Sequence, residues 1–552
     1  MDKMKESPQS SAGGMARGTR HILENKMYLY LTEFFAGMAV MAVELGANRL
    51  LAPYFSSSQI VWTIIIGTIM IAMALGNLYG GRQADRDPNP DRLYRRILIA
   101  AVWIGLIPAL GKYVILGVSA LLIFSVNSNL LIWAGFASCM LIFVFPLFLL
   151  GTVTPSLAKY SMENLEDNAR VIGKLGAANT LGSIIGTFVP TFVSIPAVGT
   201  NLSFLIFAGV LLALALVYFF SGKQKTSPGV WIALLLYGAG CLLGHDSRFA
   251  FWKDDLPYEG ESIYNYLQVE ETPESVILST NVLFGVQSIR MKDEGLTGMY
   301  YDYAMAAPLM AGAEEREEPL RLLVLGTGTG TYASQCSRYF PGIQAEGVEI
   351  DEKITRLARQ YFAMPDSVPV TTYDGRAYLN AVDTKSDVIL VDAYQDISIP
   401  FQMASVEFFS LVREHLKPGG VMVVNMNMRS EREGNINDYL ADTICRVFPA
   451  VYTVDVPLNS NRILFASAAE DLLERFDRNR ALCGGELGEL MERVAAGLER
   501  YEPGGRCMTD DKAPVELLSM RMIDDLIQDE LRWYKTLYRE QGLRGLMASL
   551  GI

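Results

Sequence analysis

Histidine and cysteine are scarce: three His and six Cys in 552 residues. His21, His245 and His415 are too scattered to build a metal site, and the cysteines at 139, 241, 336, 445, 483 and 507 form no CxxC pair, so no zinc site or disulfide scaffold is implied. Charge is thin as well. Charged residues make up 19% against roughly 25% in ordinary soluble domains, while hydrophobic residues reach 51%. The positive sign is the scarcer one, and a formal net charge of -13 argues against a nucleic-acid partner. Neither a nucleophilic triad nor a repeat suggesting inverted transporter halves is visible.

What is abundant is apolar sequence, concentrated before about residue 245. Residues 1–26 form a polar arm carrying Lys3, Lys5, Arg17, Arg20 and Lys26, which reads as disordered and cytoplasmic, without the short apolar core of a signal peptide. Apolar spans follow at about 27–48, 59–80, 93–111, 113–127, 130–158, 171–196, 201–220 and 229–243, several of bilayer length. The fourth and eighth are short, which makes seven or eight crossings. Positive-inside asymmetry puts Arg82, Arg86, Arg92, Arg95 and Arg96 in the cytoplasm. Eight crossings place the remaining half in the cytoplasm, where nucleoside cofactors are supplied, and that side is expected; Lys159, Arg170, Lys174, Lys223 and Lys225 fit seven better. Glu33 and Glu44 share a face of the first span, with Arg49 at its end; they are either functional or an interfacial acid and an end-tying ion pair. Gly76-x-x-x-Gly80 and Gly182-x-x-x-Gly186 predict close helix packing.

The second half is organised by Arg321-Leu-Leu-Val-Leu-Gly-Thr-Gly-Thr-Gly330, answered by Val348-Glu-Ile-Asp351. This predicts a strand, a glycine turn and a helix, then a second strand ending in an acid that can accept from ribose hydroxyls. The glycine spacing is GxGxG and departs from the dinucleotide GxGxxG, which favours a nucleoside without phosphates, S-adenosylmethionine or a relative. Asp374-Gly375 after a third strand can read an adenine amine, and Asp387–Asp392 predicts a buried fourth strand ending in an acid. Asp392 is a functional acid or a turn former; in a parallel sheet Glu349, Asp374 and Asp392 converge on one crevice. Short strands at 266–270, 276–278 and 285–290 predict a small antiparallel cap. Lys417-Pro-Gly-Gly420 predicts a tight turn, His415 a helix end, and the acidic 508–516 segment either caps the last helices or closes over the crevice.

Residues from about 262 to 530 resemble the spermidine synthase (polyamine aminopropyltransferase) family, and the whole chain resembles its membrane-fused bacterial branch through residues 37–51, Gly80-Gly-Arg-Gln-Ala-Asp-Arg86 and Asn179-Thr-Leu-Gly-Ser183. The resemblance implies a multi-pass α-helical membrane bundle of the bacterial inner membrane, fused to an α/β S-adenosylmethionine-dependent methyltransferase-like (Rossmann-like) domain with a small N-terminal β cap. The expected parts are an arm at 1–26, a bundle at 27–243, a linker and cap at 244–312, and the Rossmann-like domain with a helical tail at 313–552. Decarboxylated S-adenosylmethionine or S-adenosylmethionine is the implied cofactor, with no metal. It implies Gln287, Gly326, Gly328, Gly330, Glu349, Asp374 and Gly375 as cofactor-binding, Asp392 as the acid that takes a proton from the attacking amine, and Tyr300, Asp302, Tyr394 and Asp396 on the substrate side. The expected partners are the lipid bilayer and a small amine or membrane-associated acceptor, with a homodimer as a candidate assembly and no nucleic acid. The chain departs from the family loop Gly-Gly-Gly-Asp-Gly-Gly at Thr329, from Tyr-His-Glu at Tyr300-Tyr301-Asp302, and from Ser-x-Asp-Pro at Ala393-Tyr394-Gln395-Asp396. Three readings stand at this point: aminopropyl transfer in polyamine biosynthesis, methyl transfer at the membrane, and a non-catalytic transport or sensor protein.

Overall fold

The computed structural model describes residues 22, 25–55, 58–126, 128–162, 168–221, 227–245, 248–253, 255–282, 286–293, 295–313, 318–394, 399–427, 429–430, 432–457 and 459–549. Nearly all of the N-terminal arm, and Asp396, therefore lie outside the described residues. The chain forms two compact units, one of residues 1–50, 63–116 and 136–247, the other of 51–62, 117–135 and 248–552.

The apolar spans are helices: α1 (Lys26–Phe55), α2 (Gln59–Arg86), α3 (Pro90–Ser125), α4 (Leu130–Gly151), α5 (Val153–Ser161), α6 (Asn168–Val189), α7 (Ile195–Phe220) and α8 (Pro228–Gly244). Two predicted boundaries move. The third and fourth spans are one 36-residue helix, α3, which continues through Pro108 and Gly111; the fifth divides at Thr152 into α4 and α5. Among the described residues, five helical runs are long and apolar enough to cross a membrane, and α8 is a shorter apolar helix.

The longest run, Ala169–Phe220, is broken inside. A π-helical turn at Pro190–Ser194 follows α6, and Gly199 then takes φ 83° and ψ 170°, outside any helix. Contacts along α1 give the consequence. A Cβ on Gly182 would lie 1.9 Å from Phe34 O and one on Gly186 2.1 Å from Met38 O, so α6 runs with α1. Tyr28 Oη donates to Leu214 O at 2.7 Å, while a Cβ on Gly46 would meet the Phe204 ring at 2.7 Å, so α7 runs against it. The chain thus reverses near Gly199. The other small-residue pair behaves alike, since Cβ atoms at Gly76 and Gly80 would lie 2.3 Å from Phe148 O and 2.7 Å from Thr152 Cα.

In the second unit a four-stranded antiparallel sheet comes first, β1 (Tyr258–Glu261), β2 (Tyr266–Glu271), β3 (Ser275–Ser279) and β4 (Ser288–Met291), in that order. Short helices α9 (Tyr300–Ala304) and α10 (Ala306–Met310) lead into the Rossmann-like domain. Its strands are β5 (Arg321–Leu325), β6 (Gln344–Glu349), β7 (Val370–Thr372), β8 (Ser386–Val391), β9 (Leu416–Met426), β10 (Ala450–Asp455), β11 (Arg462–Ser467) and β12 (Glu499–Arg500), in the order β12-β10-β11-β9-β8-β5-β6-β7. The five strands from β9 to β7 are parallel, and β11, β10 and β12 extend the sheet antiparallel. Helices α11 (Thr331–Tyr339), α12 (Glu352–Tyr361), α13 (Gly375–Ala381), α14 (Val406–Glu414), α15 (Ile436–Cys445), α16 (Leu472–Arg480), α17 (Gly485–Gly497) and α18 (Val515–Ser549) complete the chain.

All six residues of β8 are buried, as a strand covered on both faces requires. The first sheet packs Leu267, Val269, Val276 and Leu278 on Ile354, Leu357 and Phe362, and so rests on α12 and the residue after it. The predicted turn at 417–420 is instead an irregularity within β9, with Gly419 at φ 74° and a register shift between Ser386 and Val388. His415 ends α14 as expected, its ring nitrogens 2.8 Å from Leu411 O and Val382 O.

One buried acid ties the sheet's middle strands. Asp387 accepts from Arg321 N at 2.9 Å and from Lys417 Nζ at 2.7 Å, joining β5, β8 and β9. Asp387→Ala should lower the stability of the full chain by about 3 kcal/mol, because it strands a lysine and a backbone amide; chemical denaturation in detergent measures this.

Candidate active site

The site grows from the β5–α11 turn. Gly326, Gly328 and Gly330 have φ of 85°, 55° and 77°, where a side chain is strained. At Gly326 the requirement is also steric, though the obstacle is not the ligand. A Cβ there would lie 2.5 Å from Asp392 O and 2.6 Å from Ala393 Cα, so the glycine lets the end of β8 pass beside the loop. Asp392 N donates to Leu325 O at 2.9 Å across the same junction. Strand order reverses here, β5 lying between β6 and β8, and in such sheets ligands bind in the crevice beyond the carboxyl ends.

The crevice is a cavity of about 310 Å³, and Gln287, Gly326, Gly328, Glu349, Asp374, Gly375, Asp392 and Tyr394 are among its walls. Glu349, at the end of β6, accepts from Gly328 N at 2.9 Å and Asp351 N at 3.1 Å, one on each carboxylate oxygen. Each oxygen keeps a lone pair for a ribose hydroxyl, and the Cβ-free loop leaves room beside it, so the donor set fits a nucleoside. Burial raises the Glu349 carboxyl to about 6. The second acid of Val348–Asp351 works differently: Asp351 caps α12 through Lys353 N at 3.0 Å and binds Ser262 and Asn265. Asp374 lines the cavity and also caps α13, accepting from Ala377 N at 2.8 Å.

Asp392 is the most heavily organised group. Tyr300 Oη donates to its Oδ2, and Asn425 Nδ2 donates to its Oδ1 at 2.9 Å. Asn461 Nδ2 in turn donates to Asn425 Oδ1 at 2.9 Å, and the Tyr394 hydroxyl donates to Asn425 O. Burial is the largest cause lifting the Asp392 carboxyl to about 7; the charge of Glu349 adds to it, and the bonds from Tyr300 and Asn425 oppose it. Tyr301 lies with its ring 4.0 Å from that of Tyr300, and its hydroxyl is 3.2 Å from Ser288 Oγ.

Some expected residues stand elsewhere. Tyr300 reaches the site through Asp392 and is not itself a wall residue of the cavity. Asp302 is not among the wall residues either: it accepts from Thr297 N (3.0 Å), Thr297 Oγ1 (2.8 Å) and Gly298 N (2.7 Å), holding the turn ahead of α9. Gly330 caps α11 beside Met364. Thr329 is buried with its hydroxyl 3.1 Å from that of Thr331, and is likewise not a wall residue. Nothing local distinguishes an asparagine at a strand end, so the sequence alone does not single out Asn425 and Asn461. In the 508–516 segment Asp510 accepts from both terminal guanidinium nitrogens of Arg376 at 2.7 Å and from Ser405 Oγ at 2.6 Å, and Arg376 also donates at 2.9 Å to the carbonyl of Gln402, a wall residue of the cavity. The Arg376 guanidinium holds the Asp510 carboxyl down at about 2.

Residues 301–477 match the family described as spermine/spermidine synthase domain. A probable polyamine aminopropyl transferase of Bifidobacterium longum is 49% identical over 356 residues, covering 61% of this chain and 78% of that protein. A polyamine aminopropyltransferase of Vibrio vulnificus is 26% identical over 305 residues, covering 52% and 98%. Among solved structures, a probable spermidine synthase from Corynebacterium glutamicum is 21% identical with a TM-score of 0.38, covering 47% of this chain and 96% of its own.

Glu349→Gln should weaken binding of a phosphate-free adenine nucleoside such as methylthioadenosine by about 2 kcal/mol, roughly thirtyfold, through lost charged hydrogen bonds. Calorimetric titration reads this, and an unchanged affinity removes Glu349 from the ribose.

Proposed function

The chain belongs to the polyamine aminopropyltransferase family, and from that premise we propose that its soluble half moves an aminopropyl group from decarboxylated S-adenosylmethionine to a small primary amine, with Asp392 as the base. The observation that carries this reading is a buried carboxylate at the end of β8, held by Tyr300 and Asn425 and sharing its crevice with Glu349. When bound, the donor supplies a carbon made electrophilic by the adjoining sulfonium.

The chain's own part is to bind, orient and move one proton. Glu349, Asp374 and the 326–330 loop hold the nucleoside end. Asp392 receives the amine: its carboxylate attracts the ammonium, takes its proton and leaves the nitrogen lone pair free to attack. A carbon–nitrogen bond forms as the carbon–sulfur bond breaks, and the departing sulfur becomes a neutral thioether. Tyr300 and Asn425 fix the carboxylate plane, so that little reorientation is needed as the amine approaches. Thr329, the departure on which the methyl-transfer reading rests, is not among the described wall residues of the cavity.

The long apolar helices support a multi-pass membrane protein, and we assign the soluble half to the cytoplasm, where the donor is made. With α6 and α7 counted separately and the shorter α8 included, the described residues supply seven apolar helical runs, and an odd number of crossings gives the two ends of the bundle opposite sides of the bilayer. The arginines of the α2–α3 turn then lie outside, against the positive-inside rule. Reporter fusions at the C-terminus decide the matter: a cytoplasmic reporter is expected to be active and an exported one silent, and the reverse overturns the assignment.

With labelled donors, the aminopropyl group is expected in a polyamine product, and methylation alone would refute the proposal. Asp392→Asn should lower turnover at least about a hundredfold. The base form of a group lifted to about 7 is lost as pH falls, so kcat/KM should decline below about pH 7. Asn425→Ala removes a bond that favours the charged carboxylate, and should move that acid limb to higher pH; a limb unmoved in a pH–rate profile would mean Asn425 does not position Asp392.

A further inference from the structure

Outside the crevice, the least explained chemistry is in the helical unit. Glu33 of α1 is fully buried. Its Oε1 accepts from Thr154 Oγ1 of α5 at 2.5 Å and from Asn179 Nδ2 of α6 at 2.8 Å. Oε2 is equally buried and has no hydrogen-bond partner. The two donors orient the carboxylate but bring no positive charge. A carboxylate among apolar helices with a bare oxygen is costly, and such residues mark binding sites for cations or substrates.

The neighbourhood says what class of cation. Asn179, Ser183 and Thr187 of α6 and Thr191 of the π-helical turn that follows lie at four-residue spacing, a row about 18 Å long at the helical rise. Their hydroxyl protons are spent on carbonyls: Ser183 Oγ on Gly37 O at 3.4 Å, Thr187 on Ser183 O and Thr191 on Thr187 O at 2.9 Å each. What remains is oxygen lone pairs, a row of acceptors headed by an acid. The row ends at the π-helical turn, close to the reversal at Gly199, where the span is interrupted as in helices that line substrate sites. Thr154 and Asn179 are only half-buried, so the acid is one layer from the outer face of α6.

We propose that this α1–α6 seam binds an organic ammonium ion, with Glu33 Oε2 accepting from its terminal N–H groups and the hydroxyl row accepting from its further nitrogens. The choice of a polyamine as the occupant rests on the aminopropyl-transfer reading; the cationic class rests on Glu33 alone. The bundle then handles the same molecules that the crevice makes or uses.

Labelled spermidine is titrated against the full chain in lipid nanodiscs, with aminopropyl transfer assayed separately in detergent. Glu33→Gln is expected to weaken one class of spermidine binding about tenfold or more while leaving transfer intact. Glu33→Asp, which keeps the charge, and Asn179→Ala, which frees Oε1, should weaken it less. Binding that all three variants leave unchanged overturns the proposal, as does binding displaced by sodium chloride but not by methylammonium chloride at equal ionic strength. Should Glu33→Gln fail to fold, the other two variants carry the test. Absent transfer with Glu33-dependent binding retained would refute the enzymatic reading and not this site.

Discussion

The junction of β5 with β8 is the constraint on which the rest of the soluble half depends. Asp392 N bonds to Leu325 O, and the chain after β8 occupies the space that a Cβ at Gly326 would need. Because the strands are parallel and in this register, the glycine loop, Glu349 and Asp392 emerge on the same edge of the sheet. Any other order would scatter them. The first antiparallel sheet depends on the same edge, since it packs on α12, which starts just beyond Glu349.

Two buried acids on that edge are differentiated by their partners. Glu349 is held by backbone amides and sits at about 6; Asp392 is held by side chains, feels Glu349, and sits at about 7. A site lined by carboxylates suits ligands that are cationic, and it leaves one acid close to neutrality for proton transfer. Glu33 poses the same electrostatic problem in the helical unit, with two neutral donors on one oxygen and none on the other.

Local pattern made much of this legible. Leu322–Leu325 followed by alternating glycines has few alternatives to a strand and a ligand loop, and the strand expected at 387–392 reads as covered because Val388–Val391 is apolar on both faces. The apolar spans were equally plain, but their joints were not. A helix passes through Pro108, whereas the chain reverses at Gly199 as α6 and α7 pack in opposite directions along α1. Position in the motif suggests Asp302 as a substrate acid, while its hydrogen bonds come from the Thr297 and Gly298 amides and the Thr297 hydroxyl, partners that the motif does not announce.

The two halves, the order of strand, loop and acid, and the chemical character of the crevice follow from local sequence, because each is set by residues close together in the chain. Which acids meet is a matter of the folded arrangement. Asn425 reaches Asp392 from 33 residues away and Asn461 reaches Asn425 from 36, while Thr154 and Asn179 reach Glu33 from two other helices. Such partnerships come from strand register and helix packing, which no local pattern carries, and burial then gives each carboxylate its proton affinity or its need for a cation.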